Sequence, residues 1–259
     1  MNLNRRLIIR DLSLIVGASL LVFLGALVVS SGQIGTVSIG RLLSDRLREF
    51  TERELRAGEL VISDGPIIES IDTIVGRLNE APSIDLPRFT VLVIRSDIVN
   101  AMALPGGLIV VYTGLIETLS SADEFAAILA HEIGHVARGD PTRQLIRSAG
   151  LGVINLLFGS GGEVLIERLF REAVALSYAK RYELRADEYA ISTMEQAGLN
   201  PGALGRALER LKLLMSDNRP LFRYLDPHED IDTRIARSLS RSLSDDYDTI
   251  EIEWEELQF

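Results

Sequence analysis

Two histidines and a glutamate carry the clearest chemical signal in the chain. His131, Glu132 and His135 form the pattern H-E-x-x-H within an apolar stretch that predicts a buried helix. Residues four apart lie on one helical face, so both imidazoles can point at the same metal ion. Two neutral imidazoles suit Zn²⁺, and Glu132 could take a proton from a water molecule that the metal has made more acidic. The alternative, a metal-free core, is disfavoured because buried imidazoles and carboxylates are costly without partners.

A catalytic zinc ion needs a third protein ligand, and the composition narrows the choice. The chain has three histidines and no cysteine, so any ligand other than His228 must be a carboxylate. Glu183 and Asp187 are four residues apart on a predicted helix, so one of them could bind the metal. The other could accept the free ring N–H of a ligating histidine and thereby fix its tautomer. Spacing alone leaves the two roles unassigned, and such acids are often merely solvated.

The elements that would position these residues are a small sheet and several helices. Two apolar, β-branched runs at 89–94 and 108–112 predict strands, with a hairpin turn at 105–107. A capping box at Ser121 begins the helix that carries the histidines, and Gly139-Asp140-Pro141 ends it. Glycine stabilises a helix less than alanine does, so Gly134 is unexpected within that helix. Its presence predicts that a neighbouring element approaches the helix closely there.

The N-terminus predicts a membrane segment. Residues 12–29 are apolar or small, close to the roughly 20 residues needed to cross a bilayer. Arg5, Arg6 and Arg10 precede this segment and no charge follows before Arg41, which predicts a cytoplasmic N-terminus and a catalytic domain on the outer side. A cleaved signal peptide is the alternative, although the apolar run is long for one.

Composition excludes some partners and defines the C-terminal region. A formal charge of −10 argues against binding to nucleic acid, because phosphate contacts need clustered basic residues. Without cysteine, disulfides and thiolate chemistry are excluded. Residues 245–256 hold seven acids and no basic residue, which predicts a solvated tail.

Four motifs in order resemble the M48 family of membrane-associated zinc metallopeptidases. The resemblance covers roughly residues 89–237 and rests on NAMALPGG, EFAAILAHEIGHV, ELRAD, and His228 with Arg234-Ile235. It implies that Glu183 is the third zinc ligand and that Asp187 is the carboxylate behind a ligating histidine. It also implies that His228 either stabilises the oxyanion of the reaction or blocks the metal and keeps the enzyme latent. Arg234 is a further candidate for the oxyanion or for pairing with a nearby acid.

The resemblance also suggests where a substrate would bind. In zincin-like peptidases a sheet edge beside the metal binds the substrate backbone as an added strand. The residues before the predicted hairpin turn are candidates for such an edge: Asn100, Ala101, Met102 and Ala103. A proline at Ala103 would then raise KM, whereas an ordinary core hairpin would leave binding unaffected.

Together these observations predict an α+β fold, a mostly helical zincin-like (gluzincin) metallopeptidase domain with a small sheet and one N-terminal transmembrane helix. The expected segments are a cytoplasmic N-terminus (1–11), a transmembrane helix or signal anchor (12–31), a helical annex (32–88), the peptidase domain (89–240) and an acidic tail (241–259). The expected activity is zinc-dependent endoproteolysis with one Zn²⁺ per chain. Unfolded or misassembled envelope proteins are the expected substrates. A membrane-tethered chaperone or adaptor is the alternative, while a structural zinc site is disfavoured because such sites are usually closed and rich in cysteine.

Overall fold

The computed structural model describes residues 45, 48–49, 52–53, 55–56, 61–149, 180–215, 231–242 and 246–257. The elements follow in this order: β1 (Val61–Ile62), α1 (Pro66–Leu78), β2 (Thr90–Ile94), β3 (Ala101–Leu104), β4 (Leu108–Tyr112), α2 (Thr113–Thr118), α3 (Ala122–Arg138), α4 (Asp140–Ala149), α5 (Lys180–Gln196), α6 (Gly202–Met215), α7 (Ile231–Leu239) and a 3-10 turn (Trp254–Leu257). The described fold is mostly helical with one small sheet, which confirms that part of the predicted α+β class.

The sheet has the strand order β1-β2-β4-β3. Strands β2 and β4, the two runs predicted as strands, are parallel neighbours, and the antiparallel hairpin at the Pro-Gly-Gly turn is formed by β3 and β4. Gly107 has a φ of +78°, and a Cβ there would lie 2.5 Å from the backbone oxygen of Arg88, so this turn requires glycine. Strand β3 therefore lies at an edge of the sheet that the described residues form.

Helix α3 runs through the core, and both of its predicted ends are confirmed. The Ser121 hydroxyl accepts a hydrogen bond from the backbone N–H of Glu124 at 3.2 Å, and Gly139 ends the helix with a φ of 64°. Every residue from Ala122 to His135 is buried. The helix packs against α5, α6 and β3, so the polar side chains of its H-E-x-x-H pattern must find partners inside the protein.

The predicted close approach at Gly134 is also confirmed. A Cβ at this position would lie 3.1 Å from the Cβ of Tyr189 on α5, closer than carbon atoms normally pack. Glycine therefore allows α3 and α5 to lie closely side by side. This close packing matters for function, because the two helices carry the candidate metal ligands His131, His135 and Glu183.

The prediction of a solvated C-terminal tail is wrong for its apolar residues. Trp254 is 4% exposed, its indole N–H donates to the backbone oxygen of Leu119 at 2.9 Å, and its ring lies 5.7 Å from that of Phe125. The backbone N–H of Ile250 donates to Asp123 at 3.1 Å. Burial of the apolar side chains outweighs the high charge of the segment, whose acidic side chains reach solvent wherever the structure describes them. Residues 246–257 thus cover the N-terminal end of α3.

Several sequence predictions fall outside the described residues. They include the membrane segment at 12–31 and His228. Within the ranges that the structure describes, no helix has both the length and the apolar character needed to cross a bilayer.

Candidate metal centre

Helix α3 presents both histidines of the pattern to one point. The Nε2 atoms of His131 and His135 lie 3.2 Å apart, and their rings are nearly perpendicular, at 83°. Both side chains are only 1% exposed. The helical spacing of four residues therefore has the effect predicted from sequence: it brings the two imidazole nitrogens together.

Helix α5 adds a carboxylate to the same point. The Oε2 of Glu183 lies 3.4 Å from the Nε2 of His131, and the Oε1 lies 3.3 Å from the Nε2 of His135. One donor atom from each of these three residues lies within 4.8 Å of the other two. The structure thus brings together the three residues that were predicted as metal ligands.

The donor set fits a metal ion. Ligands at about 2.0–2.1 Å from a tetrahedral zinc ion are separated by roughly 3.3 Å from one another. The two imidazole nitrogens are 3.2 Å apart, and each lies 3.3 to 3.4 Å from a different oxygen of Glu183, close to that value. Three protein ligands would leave a fourth position for water or substrate, as in a catalytic site.

A carboxylate lies behind each histidine, on the side away from the shared point. The Nδ1 of His131 donates to Asp187 at 2.9 Å, as expected if Asp187 fixes the tautomer that exposes Nε2. Asp187 in turn accepts two hydrogen bonds from Arg234, at 2.7 and 2.8 Å. Arg234 is 2% exposed and also lies 3.3 Å from Glu183. Of the two roles considered for Arg234, the geometry matches pairing with acids.

The carboxylate behind His135 was missed in the sequence. Asp140, which is 2% exposed, lies 3.2 Å from the Nδ1 of His135. The Gly-Asp-Pro string was interpreted only as the end of a helix. Gly139 adopts the left-handed conformation and turns the chain back, so the first residue of α4 faces the last turn of α3. An acid directly after a glycine that ends an H-E-x-x-H helix is the signal that could have identified it.

We expect Asp140→Asn to weaken zinc binding about 10- to 100-fold, the usual effect of losing a partner behind a ligand. The amide oxygen of asparagine can still accept the hydrogen bond, but it lacks the negative charge, so Asp140→Ala should weaken binding further. The dissociation constant for zinc, measured by competition with a chromophoric chelator, tests this. Equal affinities in both variants and the wild type would show that Asp140 does not act on the metal site.

The electrostatics of the metal-free site favour a cation. Burial raises the pKa of Glu132, opposed by His131 and His135. Burial acts in the same direction on Glu183, but hydrogen bonds from the two histidines hold the pKa of Glu183 well below its ordinary value. Burial would lower the pKa of His131, yet Asp187 and Glu183 raise it to about 10. Without a metal the site therefore holds protons, and a metal ion would displace them.

The predicted catalytic base contacts the predicted substrate strand. The backbone N–H of Ala103 on β3 donates to Oε2 of Glu132 at 2.7 Å. On the other side of this strand, the backbone oxygen of Asn100 accepts a hydrogen bond from Tyr112 on β4. Since backbone groups alternate along a strand, the edge that faces away from β4 is the edge beside Glu132. Met102 is the one half-buried residue among Ala101–Leu104.

Comparison with known proteins agrees with this geometry. Residues 68–242, more than half of the chain, match the model of peptidase family M48. The chain is 29% identical over 123 residues to the metalloprotease LoiP of Escherichia coli strain K12, covering 45% of this chain and 48% of that protein. It is 27% identical over 194 residues to the beta-barrel assembly-enhancing protease of the same strain, covering 68% and 38% of the two chains. It is 30% identical over 139 residues to the mitochondrial metalloendopeptidase OMA1 of Arabidopsis thaliana, covering 53% and 28%.

Each of these alignments spans less than half of the relative's length. The family model, by contrast, includes the strand β3 and all of the residues placed around the metal centre. The family resemblance predicted from the four motifs is therefore confirmed, and this chain belongs to peptidase family M48.

Proposed function

We propose that this chain is a zinc-dependent endopeptidase. The observation that carries the proposal is the convergence of His131, His135 and Glu183 beside Glu132, in a site with a carboxylate behind each histidine. When bound there, Zn²⁺ would polarise the scissile carbonyl and make a water molecule more acidic. The names of the relatives, which are proteases, support the same activity.

Each residue around the metal centre would have a separate role in hydrolysis. His131, His135 and Glu183 would hold the ion, while Asp187 and Asp140 orient the two imidazoles. Glu132 accepts the Ala103 N–H with Oε2 and makes no other hydrogen bond among the described residues, so Oε1 is open to take a proton from the attacking water. The proton would then pass to the leaving amine.

The activity is tested with the full chain in detergent and an unfolded protein such as casein. We expect one zinc ion per chain, cleavage of casein, loss of cleavage after removal of zinc by a chelator, and recovery when zinc but not magnesium is returned. Cleavage that continues unchanged in metal-free protein would refute the proposal. Zinc binding with suppression of aggregation but no cleavage would favour the chaperone or adaptor alternative.

The edge of β3 that faces away from β4, from Asn100 to Ala103, is proposed to pair with the substrate backbone. A substitution of Ala103 by proline is a poor test, because it would also remove the N–H that Glu132 accepts. A peptide substrate with one amide N-methylated at a time is cleaner. Because strands pair through every second residue, methylation should raise KM at alternate positions. A KM that is the same along the whole series would exclude strand pairing.

His228 is proposed to act in one of the two ways that the sequence left open. If it stabilises the oxyanion, His228→Ala should lower kcat about 10²- to 10³-fold, as for other oxyanion donors. If it blocks the metal, the same variant should raise basal activity. Casein hydrolysis by the variant separates the two roles, and unchanged activity would exclude both.

The cellular location of the enzyme is proposed from the N-terminal sequence. One transmembrane helix at 12–31 with a cytoplasmic N-terminus would place the peptidase on the outer side of the cytoplasmic membrane. Misassembled or unfolded envelope proteins would then be its substrates, as part of quality control. Digestion of intact spheroplasts with an added protease should degrade the domain, and complete protection would contradict this orientation.

A further inference from the structure

The side chains of the sheet divide into two apolar clusters, one on each face. Alternate residues of a strand point to opposite faces, and β2, β3 and β4 follow this rule. Val93, Val111 and Ala101 belong to the core cluster that also contains residues of α1 and α3. The opposite face, termed here the outer face, has a second cluster, which consists of aliphatic side chains: Leu92, Ile94, Leu104, Leu108 and Val110.

Met102 lies on the outer face of the edge strand β3. It packs against the aliphatic cluster of that face, as do Leu55 and Tyr112. Its partner on β4 is Val110, which is 2% exposed. Met102 itself is only half-buried, whereas the other three residues of β3 are buried. Part of the Met102 side chain is therefore accessible on the strand that contacts Glu132.

A substrate paired with the edge of β3 beside Glu132 would extend both faces of the sheet by one strand. Its side chains would alternate between the face of α3 and the outer face. In antiparallel strands, directly opposite residues point to the same face with about 4.5–5.5 Å between their Cβ atoms, and diagonal neighbours are about 7–8 Å apart. Met102 would therefore contact one substrate side chain closely, the next position would face α3, and the position after that would be more distant.

We propose that Met102 selects an apolar residue at one position of the substrate. This assignment rests on the proposed peptidase activity and on strand pairing at β3. An apolar substrate residue opposite Met102 would extend the aliphatic cluster and leave water, which is favourable. A charged residue would lose water and find no ion partner within that cluster.

The chemistry of the side chain also defines the class of substrate. A thioether is flexible and polarisable, so Met102 can contact leucine, phenylalanine and methionine alike. These residues are mostly buried in folded proteins. Selection of such a residue within an extended segment therefore favours unfolded polypeptides over folded ones.

The test is digestion of a peptide library of varied sequence by the full chain in detergent, with the products identified by mass spectrometry. We expect an apolar preference at one position of the wild-type cleavage profile. Met102→Lys should change it to a preference for aspartate and glutamate at that position alone, because opposite charges across a strand pair attract. For a peptide with leucine there, kcat/KM should fall about tenfold, mainly through KM, since the contact exists before and during the reaction.

Two further variants are the controls. Met102→Leu should keep the wild-type preference, because it retains an apolar side chain of similar size. Leu213→Lys makes the same kind of change on α6 at a residue that is 72% exposed, and it should leave the whole profile unaltered. Zinc content, measured on every variant, shows that the metal centre is intact.

An unchanged profile in zinc-bound Met102→Lys, or an equal loss of preference at every substrate position, would overturn the assignment of Met102. A wild type that cleaves no peptide would refute the proposed peptidase function instead. The affinities of leucine- and glutamate-containing peptides for zinc-loaded wild type and Met102→Lys, measured by fluorescence anisotropy, then decide on Met102 alone. A reversed order of affinity supports the assignment, and an unchanged order overturns it.

Discussion

Glu132→Gln is expected to lower kcat for casein cleavage by about two to four orders of magnitude while zinc remains bound. The Oε2 of Glu132 accepts the Ala103 N–H at 2.7 Å, and the amide oxygen of glutamine can accept the same bond. The substitution therefore keeps the packing of α3 against β3 and removes only the group that can take a proton. Zinc content and casein hydrolysis, measured on the same preparation, test the expectation.

The control is Glu117→Gln, an exposed residue of α2 with the same chemical change, which should leave both zinc content and kcat unaltered. Loss of zinc together with activity in Glu132→Gln would mean that Glu132 acts on the metal site as a whole. Full activity with zinc bound would rule out Glu132 as the base. A biological effect that persists in an inactive, zinc-bound variant would favour the chaperone alternative.

Arg234→Leu is expected to destabilise the metal-free protein by about 3–5 kcal/mol, the usual cost of breaking a buried ion pair. Arg234 donates to both oxygens of Asp187 and lies 3.3 Å from Glu183, and the arginine and aspartate are almost fully buried. Leucine fills part of the space but removes the guanidinium from two buried carboxylates, whose remaining partners are the histidines. The free energy of unfolding in urea, measured on metal-free protein, tests the expectation.

Arg237 offers a matched control one turn further along α7. Its guanidinium lies 3.6 Å from Glu188, and both side chains are nearly half exposed, so Arg237→Leu should change the free energy of unfolding by no more than about 1 kcal/mol. If both substitutions had the same small effect, the Arg234 ion pair would have to be solvated rather than buried. The difference in the free energy of unfolding between the two variants measures the effect of burying the ion pair.

The site could be predicted from sequence wherever helical spacing determines the contact. His131 and His135, and likewise Glu183 and Asp187, are one turn apart, so each pair shares a helical face whatever the rest of the fold does. The turn at Gly107 similarly predicted the hairpin that places β3 at a sheet edge. Spacing could not determine which of the two acids faces the metal, because that depends on how α5 is rotated against α3.

Contacts that depend on tertiary structure were missed. Asp140 reaches His135 only because the chain reverses at Gly139, and its position five residues away on a straight helix would point elsewhere. The tail was predicted to be solvated because the prediction rested on its charge. Burial of Ile250, Trp254 and Leu257 determines where it lies instead. Three buried apolar side chains are enough to hold an acidic segment when its charges remain in water.

The covering of α3 by residues 246–257 sets the order in which the domain can be completed during translation. Trp254 and Leu119, which share a hydrogen bond, are 135 positions apart. At about 5–20 residues per second, the ribosome needs on the order of ten seconds to synthesise the intervening chain. Until then the N-terminal end of the histidine-bearing helix lacks the indole that packs on Phe125. A nascent peptidase with this architecture reaches its finished form only after residue 257 has left the ribosome.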